Sequence, residues 1–362
     1  MMSLFMNLDA VKNLVAAVPR GPLPAHHQAR LAHSAALPAL LAAKIFSSPT
    51  NIFAPEATPA QSIYGLSIFV LSICAAIFLV VAGLLLYAII HFRHRPHDSG
   101  REPPQIYGSN QVELSWTVIP VLIIVVLFLT TTRVIFMTEN APRPKDAIDV
   151  TVIGHQFWWE YRYPKLGVVT ANELHVPVSD PSHPTPTYLT MESADTDHSF
   201  WVPALAGKLD VLPNKINTMW LDPQKPGIYL GQCAQYCGVE HAKMLIRVYA
   251  DTPQQFDAWV AAQKRPAVNY PAVAQGRQVF FHNACIDCHT IQGTAAHGIF
   301  GPDLTHLASR DTIASGSVLL TPGNLRLFVQ NPANFKPGAL MPPMHLNDHD
   351  LNAVTKYLLS LR

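Results

Sequence analysis

Gln61 to Ile90, QSIYGLSIFVLSICAAIFLVVAGLLLYAII, runs for thirty residues without a charged side chain. About twenty apolar residues, each advancing ~1.5 Å along a helix, cross the hydrocarbon core of a bilayer, so this segment spans it with length to spare. Leu114 to Thr132, LSWTVIPVLIIVVLFLTTT, bounded by Glu113 and Arg133, supplies a second span. Pro120 lies near its start, where neighbouring helices can re-satisfy the freed carbonyl. The polar loop HFRHRPHDSGREPPQIYGSNQVE joins the two into a hairpin over residues 61–139. Its Arg93, Arg95 and Arg101 face Arg133, Arg143 and Lys145 beyond the second span, a slight bias toward a cytoplasmic loop. Cys74, inside the first span, reads as a packing residue. Residues 1–60 are less legible: SAALPALLAA after Arg20 and Arg30 suits either a signal-peptide apolar region or a disordered start, and cleavage stays open.

The composition, 49% hydrophobic and 14% charged, agrees with a membrane protein. A net charge of +1 and the lack of any basic tract give no reason to expect a nucleic-acid partner. Four of the five cysteines form two tight pairs, Cys233/Cys237 and Cys285/Cys288, which suggests metal or cofactor attachment more than a disulfide framework.

Over residues 145–252 the texture changes. IDVTVIGHQFWWEYRY, PTYLTMES, GIYLGQ and MLIRVYA are rich in β-branched and aromatic residues and read as strands. DPQKPG and PSHPTPT read as turns, so the segment is expected to form a small all-β sandwich or Greek-key barrel. On it, GQCAQYCGVEHAKM becomes a loop between two late strands carrying Cys233, Cys237, His241 and Met244, and SADTDHSFWVP contributes His198. Two thiolates, two imidazoles and a thioether suit copper. Zinc also takes two cysteines and two histidines, but a methionine closing the run is foreign to it. A disulfide across three residues would leave the histidines without a role. Copper is the expected metal.

After a linker expected over 253–270 comes GRQVFFHNACIDCHTIQG. C-x-x-C-H attaches c-type haem: two thiols take the vinyl groups and the next histidine ligates iron. A helix ahead of it, GPDL at Gly301–Leu304 and FKPGALMPPM some way on strengthen the signal. Leu351, Val354, Leu358 and Leu361 share one face of a C-terminal helix expected to close over the haem. His282, His297, His306, His345 and His349 read as surface or loop residues, and His155 and His175 as ordinary strand histidines.

On these motifs, residues 61–250 resemble subunit II of cytochrome c oxidase, with its two spans and its all-β cupredoxin domain carrying the dinuclear CuA centre. Residues 271–362 resemble an all-α class I cytochrome c, so the whole resembles the caa type of haem–copper oxidase subunit. The resemblance implies that Cys233 and Cys237 bridge two coppers, with His198 and His241 as terminal ligands. Met244 and the Gln235 carbonyl would be the weak axial ones. It assigns Cys285 and Cys288 as thioether sites, His289 as the proximal iron ligand and Met341 as the distal one, with Met344 as runner-up. The Pro302 carbonyl would accept from the free nitrogen of His289 and fix its orientation. Both metal centres would be closed relays rather than catalytic sites.

The resemblance also has departures. Gln235 stands where the family usually has a glutamate reaching an interfacial magnesium, which puts that contact in doubt. Phe157 replaces the leading tryptophan of the aromatic patch where a soluble cytochrome c delivers electrons, leaving Trp158 and Trp159 as the expected acceptors. Glu113 matches the acid at the mouth of a proton channel, or is simply a helix-end carboxylate. The implied role is electron input to oxidase subunit I from a cytochrome c-type or other periplasmic donor. Both redox domains would lie outside the bacterial cell membrane, since haem is attached there. A CuA-bearing subunit of a nitric oxide reductase is the nearest alternative. A membrane-anchored copper-binding protein is another, though it needs no C-x-x-C-H.

Overall fold

The computed structural model describes residues 50–93, 100, 105, 107–140, 143–145, 147–180, 184–268 and 270–362. The expected signal peptide or disordered start lies almost wholly outside these, as do Arg95 and Arg101 of the hairpin loop. Helices α1 (Thr58–His91) and α2 (Asn110–Glu139) contain the two expected spans and extend a few residues beyond each. Their large apolar side chains, such as Phe78, Leu84 and Phe128, are turned outward, as lipid-facing residues must be. Both helices are long and apolar enough to cross a membrane.

The all-β domain is two five-stranded sheets packed face to face. Its strands are β1 (Ile148–His155), β2 (Trp158–Tyr163), β3 (Val168–Ala171), β4 (Glu173–Pro177), β5 (Thr187–Ser193), β6 (His198–Trp201), β7 (Leu209–Val211), β8 (Asn217–Leu221), β9 (Gly227–Cys233) and β10 (Leu245–Asp251). The sheets run β3-β2-β1-β5-β8 and β4-β10-β9-β6-β7. Alternate residues such as Val150, Val152, Leu189 and Met191 point into a core shared with Trp159, Phe200 and Val248. The strand expected as one piece from Ile148 to Tyr163 is two, because the chain reverses at Gln156–Phe157 into an antiparallel pair.

Both membrane ends of the hairpin are fastened to this sandwich. Asp222 accepts the Thr58 N–H at 2.8 Å and also accepts from the Thr58 hydroxyl, so a side chain just past the end of β8 satisfies a free N–H in the first turn of α1. The Trp220 indole donates to the Thr138 carbonyl at 2.7 Å near the end of α2. The β domain therefore sits at the end of the hairpin away from its connecting loop.

Residues 253–270 differ from the expected linker. Pro253–Gln263 forms α3, whose capping box joins Thr252 and Gln255. Phe256 and Val260 of α3 enter the β core, and Trp259 stacks on His175 at 4.4 Å. Only the few residues after it connect to the C-terminal domain. That domain contains α4 (Ala274–His282), α5 (Cys285–Cys288), α6 (Pro322–Gln330) and α7 (Asp348–Leu358), plus a small hairpin of β11 (Thr312–Ile313) and β12 (Val318–Leu319). Leu351, Val354, Leu358 and Leu361 are all buried in its core, as the helical spacing predicts.

The two globular domains meet through a buried carboxylate. Glu173 of β4 accepts the Asp311 and Thr312 N–H groups at 3.1 and 2.9 Å and the Thr312 hydroxyl at 2.6 Å. Burial pushes its carboxyl above the ordinary range, despite those donors. The Tyr249 hydroxyl bonds Asp311 at 2.9 Å, and Lys243 donates to the Phe335 carbonyl at 2.7 Å. Replacing Glu173 by alanine strands donors that are buried at the contact, at about 1–3 kcal/mol each. Hydrogen exchange at the Thr312 amide of Glu173→Ala is expected to rise roughly tenfold or more, by local opening of the contact. Exchange unchanged from the parent would show that the carboxylate does not hold the domains together.

Candidate metal and haem sites

The soft ligands of the sandwich converge although they come from three places in the chain. β6 opens with His198, β9 ends on Cys233, and the following loop returns Cys237 before a single turn, His241–Lys243, and Met244. The two Sγ atoms are 3.9 Å apart. His198 Nδ1 lies 3.9 Å from the Cys233 sulfur and His241 Nδ1 3.7 Å from the Cys237 sulfur. The Met244 sulfur is 3.8 Å from that of Cys237, and the Gln235 carbonyl is 3.2 Å from that of Cys233. His198, Cys233, Cys237 and Met244 are buried, and the Gln235 side chain is exposed. A four-coordinate zinc would leave the thioether and the carbonyl surplus. A paired-sulfur set with one imidazole at each end and two weaker donors fits a dinuclear copper centre, so the residues fit the expected metal.

The electrostatics prepare the same site. Hydrogen bonding from Cys237 stabilises a thiolate on Cys233 and lowers its pKa to about 3, while the shared proton pushes Cys237 up. Burial opposes charge on His198, but Asp195 at 2.8 Å and the Cys233 sulfur outweigh it and raise its pKa. Asp195 binds Nε2 of that ring, which leaves Nδ1 aimed at the sulfurs.

Cys285, Cys288 and His289 line an apolar cavity of about 370 Å³ in the C-terminal domain. That volume is within the range of cofactor pockets. His289 Nδ1 donates to the Pro302 carbonyl at 2.8 Å, as expected, so Nε2 is left to face the cavity. Burial lowers the pKa of this imidazole and holds it neutral, the form that ligates iron. A Cβ at Gly301 would stand 2.6 Å from the His289 ring, so only glycine permits the chain to pass there. Met341 and Met344 both line the cavity, together with Val354 and Leu358 of α7. Two thiols, a neutral imidazole and a thioether around an apolar cavity fit haem c. Of the histidines expected at the surface, His282, His297, His345 and His349 are exposed. His306 is not: it is buried, and its Nε2 has no hydrogen-bond partner among the described residues.

The aromatic patch is not open to solvent. Gln156, Phe157 and Trp158 form part of the cavity's wall, although they belong to the β domain. Trp158 stacks on His155 at 4.1 Å, and Trp159 is fully buried with its ring 5.8 Å from that of His198. His155 also pairs with Glu160 at 3.1 Å and His175 with Asp251 at 2.7 Å, as strand histidines with local partners. Glu113 is exposed in the first turn of α2.

The comparisons with known proteins follow the same three parts. Residues 47–134 match the family "Cytochrome C oxidase subunit II, transmembrane domain" and 181–250 its "periplasmic domain", while 273–362 match "Cytochrome c". The cytochrome c oxidase subunit 2 of Alkalihalophilus pseudofirmus is 34% identical over 316 residues, 85% of this chain and 90% of that one. The chain belongs to the cytochrome c oxidase subunit II family. The Bacillus sp. PS3 subunit is 32% identical, covering 75% of this chain and 80% of its own, and the Bacillus subtilis one 28%, covering 77% and 82%. The chain is therefore an oxidase subunit II with two membrane helices and a fused cytochrome c domain. Its families imply CuA copper and haem c, the cofactors expected from the sequence.

Several residues that shape the site carry no motif. Asp195 was within reach of a local signal, three residues before His198 in SADTDHSF. Gln156, whose side chain donates to the Cys237 carbonyl at 2.6 Å, and Lys336 had none. For the sixth iron ligand, alanine variants separate the two methionines. Met341→Ala is expected to abolish the near-infrared sulfur-to-iron band of the oxidised protein and Met344→Ala to keep it. The opposite pattern would transfer the role to Met344.

Proposed function

We propose that this subunit takes electrons from a cytochrome c-type donor at its C-terminal haem c and passes them to CuA. From there they go to subunit I, where oxygen is reduced with proton translocation. The observation that carries this reading is the shared wall: Gln156 lines the haem cavity and hydrogen-bonds the carbonyl of Cys237. Haem and a copper pair supply one-electron carriers whose coordination is closed, and the polypeptide does the rest. Cys285, Cys288, His289 and Met341 would hold the haem, with Pro302 orienting the imidazole. His198, Cys233, Gln235, Cys237, His241 and Met244 would hold the copper pair, with Asp195 fixing His198. A rigid, buried donor set limits rearrangement when an electron arrives, which suits a relay.

Phe157 and Trp158 would act within the molecule, between the two cofactors, since the cytochrome domain covers them. Trp159, against His198, would belong to the copper side. Glu113 would serve a proton channel with subunit I. The redox domains would lie on the outer side of the bacterial cell membrane. The β domain's position at the end of the hairpin opposite its loop supports this, together with the loop's arginines.

Deleting Ala272 to Arg362 and following oxygen uptake with reduced soluble cytochrome c tests the order of carriers. Severe loss of turnover in a cyanide-sensitive, spectrally intact oxidase core is the expected result. Undiminished turnover would mean that donors reach copper directly and the tail is dispensable.

A further inference from the structure

Two side chains of the cytochrome domain converge on one backbone oxygen of the β domain. Ser315 Oγ and Lys336 Nζ both donate to the carbonyl of Phe157, and Lys336 also donates to Ser315 Oγ at 2.9 Å. The residue just before Phe157, Gln156, reaches the copper site twice. Its side chain donates to the Cys237 carbonyl and its N–H to Asp195, each at 2.6 Å, and Asp195 holds His198. Gly238 allows the approach: its φ is +133°, and a Cβ there would stand 2.9 Å from the Phe157 ring and 3.1 Å from Gln156 Nε2.

Lys336 is 5% exposed, and burying an ammonium is costly unless hydrogen bonds and an opposite charge compensate. Burial brings its pKa down to about 8, with the Glu240 carboxylate opposing the shift from the copper-site side. Docking alone does not need this group. The Glu173 clamp, the Tyr249–Asp311 bond and the Lys243–Phe335 bond already hold the same two domains together without a buried amine. What Lys336 adds is a fixed position for one carbonyl, a single peptide away from a hydrogen bond to a copper-ligand backbone.

We infer that Lys336 and Ser315 are positioning residues that pin the Phe157 carbonyl and thereby keep Gln156 seated between the haem cavity and Cys237, as the electron path between the two cofactors. The inference rests on the proposed order, haem to copper. Per event, the one electron lost at iron is the electron gained at the copper pair; no bond is made or broken, and these residues move no proton.

The test uses the assembled oxidase, with the haem reduced by a flash-excited ruthenium photoreductant and the copper followed at its near-infrared band. Lys336→Met is expected to slow the haem-to-copper step by roughly tenfold or more, the scale of ångström-level misplacement. Ser315→Ala, which keeps the charge, is expected to slow it less. In both, the haem and copper spectra and the slow exchange of the Thr312 amide should match the parent, because the Glu173 clamp is untouched. A Lys336→Met rate equal to the parent's overturns the inference alone. So does fast Thr312 exchange, which would reduce Lys336 to a docking role. Should Lys336→Met not assemble, a Ser315→Ala rate equal to the parent's overturns it. A parent whose reduced haem never reduces the copper would sink the proposed function, and this inference with it.

Discussion

Everything distinctive about this molecule depends on a buried carboxylate bonded to another domain's backbone. Glu173 takes the N–H groups at Asp311 and Thr312, which start a two-strand hairpin in the cytochrome domain. Desolvating a glutamate costs several kcal/mol unless its oxygens are satisfied, and here a turn of the partner domain satisfies them. The contact fixes orientation as well as proximity, because N–H donors from adjacent residues and one hydroxyl must all point at one group. Once it is made, the cavity for haem faces the loop Gln156–Phe157 and the copper donors lie directly behind that loop.

This changes how the fusion works. A haem on a flexible linker would act through high effective concentration, in the millimolar range for a short tether. Here the tether is shortened by α3, which is packed on the sandwich, and the domain it carries is docked. The aromatic residues Phe157 and Trp158 are accordingly covered by the chain's own cytochrome domain. A phenylalanine at position 157 is at home there: it is 6% exposed, packs against Gly238 and lies under Lys336.

The parts legible in the sequence are those whose chemistry is local. Thirty uncharged residues mean a span whatever surrounds them, and C-x-x-C-H or a Cys, Cys, His, Met run concentrates unusual ligands in a few positions. His198 stands 35 positions before Cys233, and it joins the set as the second imidazole that the paired thiols call for. The helix over Pro253–Gln263 did carry a signal, Thr252-Pro-Gln-Gln255, which the surrounding prolines and polar residues obscured. The domain contact carried none. Glu173 and Asp311 are 138 positions apart, and Phe157 and Lys336 179. Each is an ordinary polar or aromatic residue whose role exists only after folding has brought the two domains together.

The docked domains would hold haem and copper in one fixed arrangement rather than let them meet by domain motion. The rate of copper reduction after flash reduction of the haem, measured as solvent viscosity is raised with glycerol, tests it directly. A docked pair predicts a rate that does not change with viscosity. A rate that falls in proportion to viscosity would mean that the cytochrome domain must swing to deliver its electron, and that the docked arrangement is not the one that works.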